Sequence, residues 1–170
     1  MVFAASFFMP LSDFIISSAA DPSFLFLLRL IVICVGSFAY ILLHEAVHGI
    51  FIRRFSGVKA KFGFTGLYAF AGSSAYFCRK HYIVIALAPV VLWGIALTVL
   101  SLSVPRDWFY VAYIIQVFNI SGAAGDIYVT AVILKMPPDI LICDSGTSMK
   151  IFKKAAAPGE PRQQLRYEQK

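Results

Sequence analysis

Residues 23–52 form an apolar run of thirty residues, interrupted by Arg29 and, in its second half, by the sequence His44-Glu45-Ala46-Val47-His48. As a helix this run is longer than the roughly 30 Å hydrocarbon core of a bilayer. Two further runs of the same character follow, at 82–104 and 108–134. Of the 170 residues 59% are hydrophobic and 14% charged, too few polar groups to solvate a globular domain of this size. The expected fold class is mainly α and polytopic, one membrane domain with three transmembrane helices and small β elements.

The spacing of the interrupting residues is helical. Side chains four apart lie on one helix face, so His44 and His48 can hold one metal ion from the same side. Glu45 lies about a hundred degrees round from His44 and points near the open position of such an ion. From there it can take a proton from a metal-bound water and later pass it to a leaving amine. The H-E-x-x-H pattern fixes only three residues, but the chain holds just three His and three Glu in all. A carboxylate deep in a span costs on the order of 3 kcal/mol on insertion scales and persists where it has a partner or a task. The competing reading has the two histidines hydrogen-bonding neighbouring helices and Glu45 among headgroups.

Along the chain, residues 1–20 lack a positive leading segment and are interrupted by Asp13, so a short N-terminal interfacial or re-entrant helix is expected rather than a cleavable leader. An extra short span is the alternative. Asp21 as N-cap and Pro22 in the first turn open the first span, 22–54, about 50 Å long at helical rise, which must tilt, bend or project. Within 56–80, Gly57–Phe64, Leu67–Phe70 and Ala75–Cys78 are β-prone and partly alternating, separated by Thr65-Gly66 and Gly72-Ser73-Ser74, which predicts a β-hairpin or three-strand meander at the membrane surface. The second span, 82–104, carries Pro89 as a kink; the third, 108–134, stops at Met136-Pro137-Pro138. The stretch 139–170 reads as a polar cytoplasmic tail, its last part, from 155, mobile. Cys34, Cys78 and Cys143 have no C-x-x-C spacing and are expected to be free thiols.

Charge sets the sidedness. Of the 15 Lys and Arg, six lie between the first two spans and seven follow the third; Arg29 and Arg106 fall on the other side with Asp13, Asp21 and Asp107. The β insert and the C-terminus are therefore expected in the cytoplasm. A net charge of +6 arranged in this way serves topology and lipid headgroups, not nucleic acid.

A catalytic zinc takes three protein ligands and water, so one more His, Asp or Glu is needed at matching depth. Asp126 precedes Lys135 by nine residues, as His44 precedes Arg53. On helices both lie about 13 Å from the basic boundary. Ser121-Gly-Ala-Ala-Gly125 is rich in small residues and allows close helix approach. His81 beside Arg79 and Lys80 fits a plain interfacial histidine, and Asp139 and Asp144 beyond the Pro-Pro stop are expected to be solvated. Asn119, two turns before Asp126, could bind a substrate backbone or a developing oxyanion, or equally make an interhelical hydrogen bond.

Taken together, His44-Glu-Ala-Val-His48-Gly on a first core span, a β-rich insert, a Pro-containing second span and the Asn119-to-Asp126 stretch resemble the site-2 protease superfamily. More narrowly they are similar to the small "putative zincin peptidase" family of prokaryotic membranes. The resemblance covers roughly residues 30–134. It implies a three-helix catalytic core, one Zn2+ ion held by His44, His48 and Asp126, and Glu45 as general base. The larger superfamily usually places a proline between its Asn and its ligand Asp and a Gly after that Asp. Here the stretch reads Asn-Ile-Ser-Gly-Ala-Ala-Gly-Asp-Ile.

The function expected is a zinc-dependent intramembrane metalloendopeptidase in a prokaryotic plasma membrane, acting on membrane-embedded or membrane-proximal protein or peptide substrates and opening to the cytoplasm. The sequence contains no PDZ or CBS module, so substrate choice is expected to rest on the hairpin, the N-terminal segment, a homo-oligomer or a regulatory membrane partner. Two other classes use the same residues. One is a membrane protein that binds or senses metal without proteolysis. The other is a catalytically silent scaffold binding partners through its small-residue faces and hairpin edge.

Overall fold

A computed structural model of the chain describes residues 23–153 and, by backbone alone, 164–165. The N-terminal interfacial segment expected at 1–20, the Asp21-Pro22 helix start and most of the stretch from 155 onward lie outside the described residues. Among the described residues the protein is mostly helical, with three helical stretches long and apolar enough to cross a membrane: Phe24–Ser56, Arg79–Ser103 and Arg106–Leu134.

The first stretch is one helix, α1 (Ser23–Ser56). It ends where Gly57 takes a left-handed φ of 71° and its N–H bonds to the Arg53 carbonyl at 2.9 Å. Glycine tolerates that conformation at no steric cost, and Arg53 and Arg54 in the last turn face the negative end of the helix dipole. Strands β1 (Lys61–Phe64) and β2 (Ala69–Gly72) then form an antiparallel hairpin. A short strand β3 (Phe77–Cys78) leads into helix α2 (Arg79–Ser103), which contains Pro89. Helices α3 (Arg106–Gly122) and α4 (Ala124–Leu134) follow, then strands β4 (Ile140–Asp144), β5 (Met149–Lys153) and β6 (Gln164–Leu165).

Two expectations are corrected, and of the two alternatives for the insert one is observed. The third span is not one continuous helix: Ala123 has a ψ of 6° and separates α3 from α4. The flanking Gly122 and Gly125 hold a helix weakly, which makes the break cheap. The insert is a hairpin without a third strand, because β3 pairs with β4 in a four-stranded sheet ordered β3-β4-β5-β6. And 139–170 is not simply a polar tail. Ile140, Ile142 and Ile151 alternate onto one face of β4 and β5 and are almost completely buried, so the apolar half of the alternation supplies a core.

The described residues pack as two compact units, 23–41 with 92–122 and 42–91 with 123–153. In the first, Tyr40, Leu97 and Ile115 pack with Trp93, and the absence of a side chain at Gly36 admits Ile115. In the second, Ile52 and Phe77 join Tyr82, Ile85, Ile133 and the sheet isoleucines in one core. There the Arg79 guanidinium donates to the carbonyls of Leu134 and Met136, both at 2.8 Å, pairing acceptors that the C-terminus of α4 leaves open. Large apolar side chains of α1, among them Phe38 at 64% and Ile50 at 64%, remain exposed.

Candidate metal centre

All the residues of the centre belong to the second unit. One turn of α1 sets His44 above His48, and their rings meet edge to face with centroids 4.9 Å apart. Asp126, in the first turn of α4, reaches both: its Oδ2 lies 3.2 Å from His44 Nε2 and 3.5 Å from His48 Nε2. Both histidines are buried and Asp126 is half-buried. Each of the three offers a ligand atom, and those atoms lie within 4.8 Å of one another. It is the one such group of three or more among the described residues.

Pro89 explains how one of the rings is held. An α-helical N–H bonds to the carbonyl four residues back, and proline has no N–H, so Pro89 leaves the Ile85 carbonyl without its helical donor. That carbonyl accepts from His48 Nδ1 at 2.9 Å. A ring that donates from Nδ1 keeps the lone pair on Nε2, the nitrogen turned to Asp126. The proline expected as a kink therefore also orients a site histidine. Its missing donor was legible in the sequence; which side chain would take the free carbonyl was not.

Glu45 is engaged from the other side. The Ala71 backbone N–H of β2 lies near its carboxylate. The hairpin register accounts for this. Thr65 N–H bonds to the Tyr68 carbonyl at 3.0 Å, and with alternate pairing along the ladder the N–H and C=O groups of Ala69 and Ala71 point away from β1. On the same stretch of α1, Gly49 lies four residues after Glu45, and its missing side chain leaves room for the ring of Phe62 from β1. Neither Ala71 nor Phe62 carries a sequence signal for this role.

His44, His48 and Asp126 thus come together as a group, and Glu45 follows His44 on the same turn of α1. Asn119 sits in other surroundings. It is fully buried in the first unit, where its Oδ1 accepts from the Tyr40 hydroxyl at 2.9 Å and its Nδ2 lies 3.5 Å from Gln116 Oε1. That is the interhelical hydrogen bond left open beside the substrate-binding reading. His81 stacks on Phe55 with centroids 4.4 Å apart. Asp144, expected to be solvated, is half-buried and accepts hydrogen bonds from the Tyr82 hydroxyl and the Gly146 N–H. The three cysteines are free thiols.

A family model described as "Putative zincin peptidase" matches residues 37–141, from before the H-E-x-x-H sequence to the start of β4. The chain belongs to that family. The zincin peptidase name implies a zinc metallopeptidase. A curated protein of Pyrococcus woesei, described as an uncharacterized 24.7 kDa protein in the gap 5' region, is 29% identical over 115 residues, 65% of this chain and 50% of the relative. The chain spans about half the length of that curated relative. No solved structure matches it.

The residues present fit the zinc that the family name implies. Donors about 2.0–2.1 Å from a tetrahedral ion lie about 3.3 Å from one another. The two separations seen at Asp126 Oδ2, 3.2 and 3.5 Å, are of that size. Two imidazoles and one carboxylate are also a donor set that catalytic zinc sites use, and a backbone carbonyl behind a ligating histidine is the usual outer support.

Proposed function

We propose that the protein is a zinc-dependent intramembrane endopeptidase of the site-2 protease type. In this reading His44, His48 and Asp126 hold one zinc ion, and Glu45 is the general base. The observation that carries it is the meeting of Asp126 Oδ2 with both histidine Nε2 atoms, across 82 residues of sequence and from a different helix. When bound, zinc polarises a water and the scissile carbonyl. Glu45 takes the proton of the attacking water on its carboxylate and returns it to the leaving amine. The Ala71 N–H lies near that carboxylate, and the Ile85 carbonyl holds the His48 ring.

Three apolar stretches with large exposed aliphatic and aromatic side chains are suited to lipid, so the helices are read as membrane spans. The charge asymmetry puts the hairpin, the opening of the site and the C-terminus on the cytoplasmic side. The free edge of β2 runs past Glu45, and its outward Ala69 N–H and C=O with the Ala71 C=O can pair with an extended peptide. The substrate is accordingly a membrane protein segment unwound near the cytoplasmic face. Asn119 as a substrate contact is the weaker half of its two readings, because its amide oxygen already accepts from Tyr40.

Zinc content measured on purified protein, with cleavage of a reconstituted transmembrane peptide, tests the reading. One zinc per chain is expected. Glu45→Gln keeps the metal and loses cleavage by at least about a hundredfold. Wild-type protein that binds no zinc, or Glu45→Gln protein that cleaves normally, overturns it.

A further inference from the structure

A cavity of about 470 Å³ in the second unit plays no part in the chemistry above. Its walls include Val129 and Val132 of α4, Tyr68 beside β2, Tyr128, and Asp144 at the end of β4. Asp144 is the only charged side chain lining it. The register sets Asp144 opposite Met149 on the face of β4 and β5 that carries Ile142 and Ile151, whereas Lys150 points to the other face. Lys153 shares the face of Asp144 but lies four residues along β5 from Met149, about 13 Å away. Among the described residues no ion pair neutralises Asp144. The Tyr82 hydroxyl and the Gly146 N–H take one lone pair on each oxygen and leave others open.

A carboxylate with no ion-pair partner among the described residues, two tyrosines and two valines together suit a cation on an aliphatic stem. The charge goes to Asp144, a ring face adds attraction, and the methylenes lie on the valines. One carboxylate is too few ligands for a divalent ion. The cavity is also tied to the candidate metal centre along two elements. From Asp126, Val129 and Val132 lie about 5 and 9 Å along α4; from Ala71, Tyr68 lies about 10 Å along the hairpin strand. A chain lying on the free edge of β2 at Glu45 would therefore reach the cavity within three or four residues.

We propose that this cavity is a specificity subsite for a lysine or arginine side chain flanking the membrane segment of the peptide substrate, with Asp144 as its counter-charge. The proposal rests on the peptidase reading and on its cytoplasmic placement of this side, where membrane segments carry their basic flanks.

The test measures binding of two fluorescent transmembrane peptides, one flanked by lysines and one by glutamines, to full-length protein carrying Glu45→Gln in nanodiscs of phosphatidylcholine. The lysine peptide is expected to bind about tenfold more tightly, and Asp144→Asn, whose Oδ1 still accepts from the Gly146 N–H while its NH2 can donate to a turned Tyr82 hydroxyl, to reduce that preference to near one. Thermal unfolding of the variant checks its fold, and Val132→Phe, which narrows the cavity without touching the charge, is expected to weaken the lysine peptide. Equal binding of both peptides by wild type overturns the proposal, as does a preference that survives in Asp144→Asn. Phosphatidylethanolamine nanodiscs that abolish the preference in an Asp144-dependent way assign the cavity to a lipid ammonium instead, and also overturn it. If zinc or Glu45 proves dispensable while the preference persists, the peptidase reading fails and the cation subsite stands. Cleavage with no preference leaves the opposite result.

Discussion

Replacing Pro89 by Ala gives two effects of opposite sign that a general loss of structure cannot mimic. Alanine restores an N–H four residues after Ile85, so the carbonyl that accepts from His48 Nδ1 at 2.9 Å gains a competing helical donor. A carbonyl has two lone pairs, so the bond to His48 is weakened and redirected, not abolished. Loss of such an outer partner usually lowers metal affinity by about 10- to 100-fold. The lower end, about tenfold or 1.4 kcal/mol, is expected here. Fold stability should move the other way. Proline inside a helix costs about 3 kcal/mol relative to alanine. Removing two methylenes from the buried Pro89 ring gives back about 1.6 kcal/mol of that. The metal-free variant should therefore be more stable than wild type by about 1–1.5 kcal/mol while binding zinc about tenfold more weakly. Chelator competition measures the zinc affinity and thermal unfolding of metal-stripped protein the stability. Unchanged zinc affinity in a stabilised variant would refute the argument that the freed carbonyl orients His48.

Asp126→Ala is expected to lower zinc affinity by more than about a hundredfold, beyond the range of outer-shell losses, as read by the same competition. Ile142→Ala, which empties a fully buried position between the strands, should cost about 3 kcal/mol in thermal unfolding. Tyr40→Phe removes the 2.9 Å bond to Asn119 and should cost about 1 kcal/mol, the usual net scale for one hydrogen bond. A Cβ at Gly72 would collide with the backbone of Ser145, so Gly72→Ala should cost about 2 kcal/mol and slow cleavage with zinc content retained.

What could be read from the sequence was whatever helical rise and face alone determine. The four-residue spacing of His44 and His48, and the equal count from His44 to Arg53 and from Asp126 to Lys135, need only a ruler, and the three side chains meet. Pairing over long separations was hidden. Phe77-Cys78 has the composition of a third hairpin strand and pairs instead with Leu141 and Ile142, a choice made by the shared core under Ile85 and Ile133. Ile140 and Ile142 carried the alternation of a half-buried strand, but the charged residues beyond them outweighed it in a reading by composition. The break at Ala123 was foreshadowed by the glycines on either side, which the sequence equally allowed to be packing positions.

In the proposed reading the strands of the second unit serve as surroundings for Glu45. A half-buried carboxylate on one helix has several rotamers, and a base that must meet a water cannot use most of them. The Ala71 N–H of β2 lies near it, but a two-stranded hairpin is too weak by itself to hold an N–H still. The end of β2 is therefore fastened at a second point: Ser73 N–H bonds to the Asp144 carbonyl at 2.7 Å, and the bare Cα of Gly72 lets the Ser145 backbone close against it. Behind that contact stand Ile140, Ile142 and Ile151, whose burial fixes the β4–β5 turn. The path from the apolar face of the C-terminal strands to β2 is thus short and made of backbone contacts. Backbone contacts depend on register more than on side-chain identity, so the surroundings of the proposed base rest on residues that bear no catalytic signature.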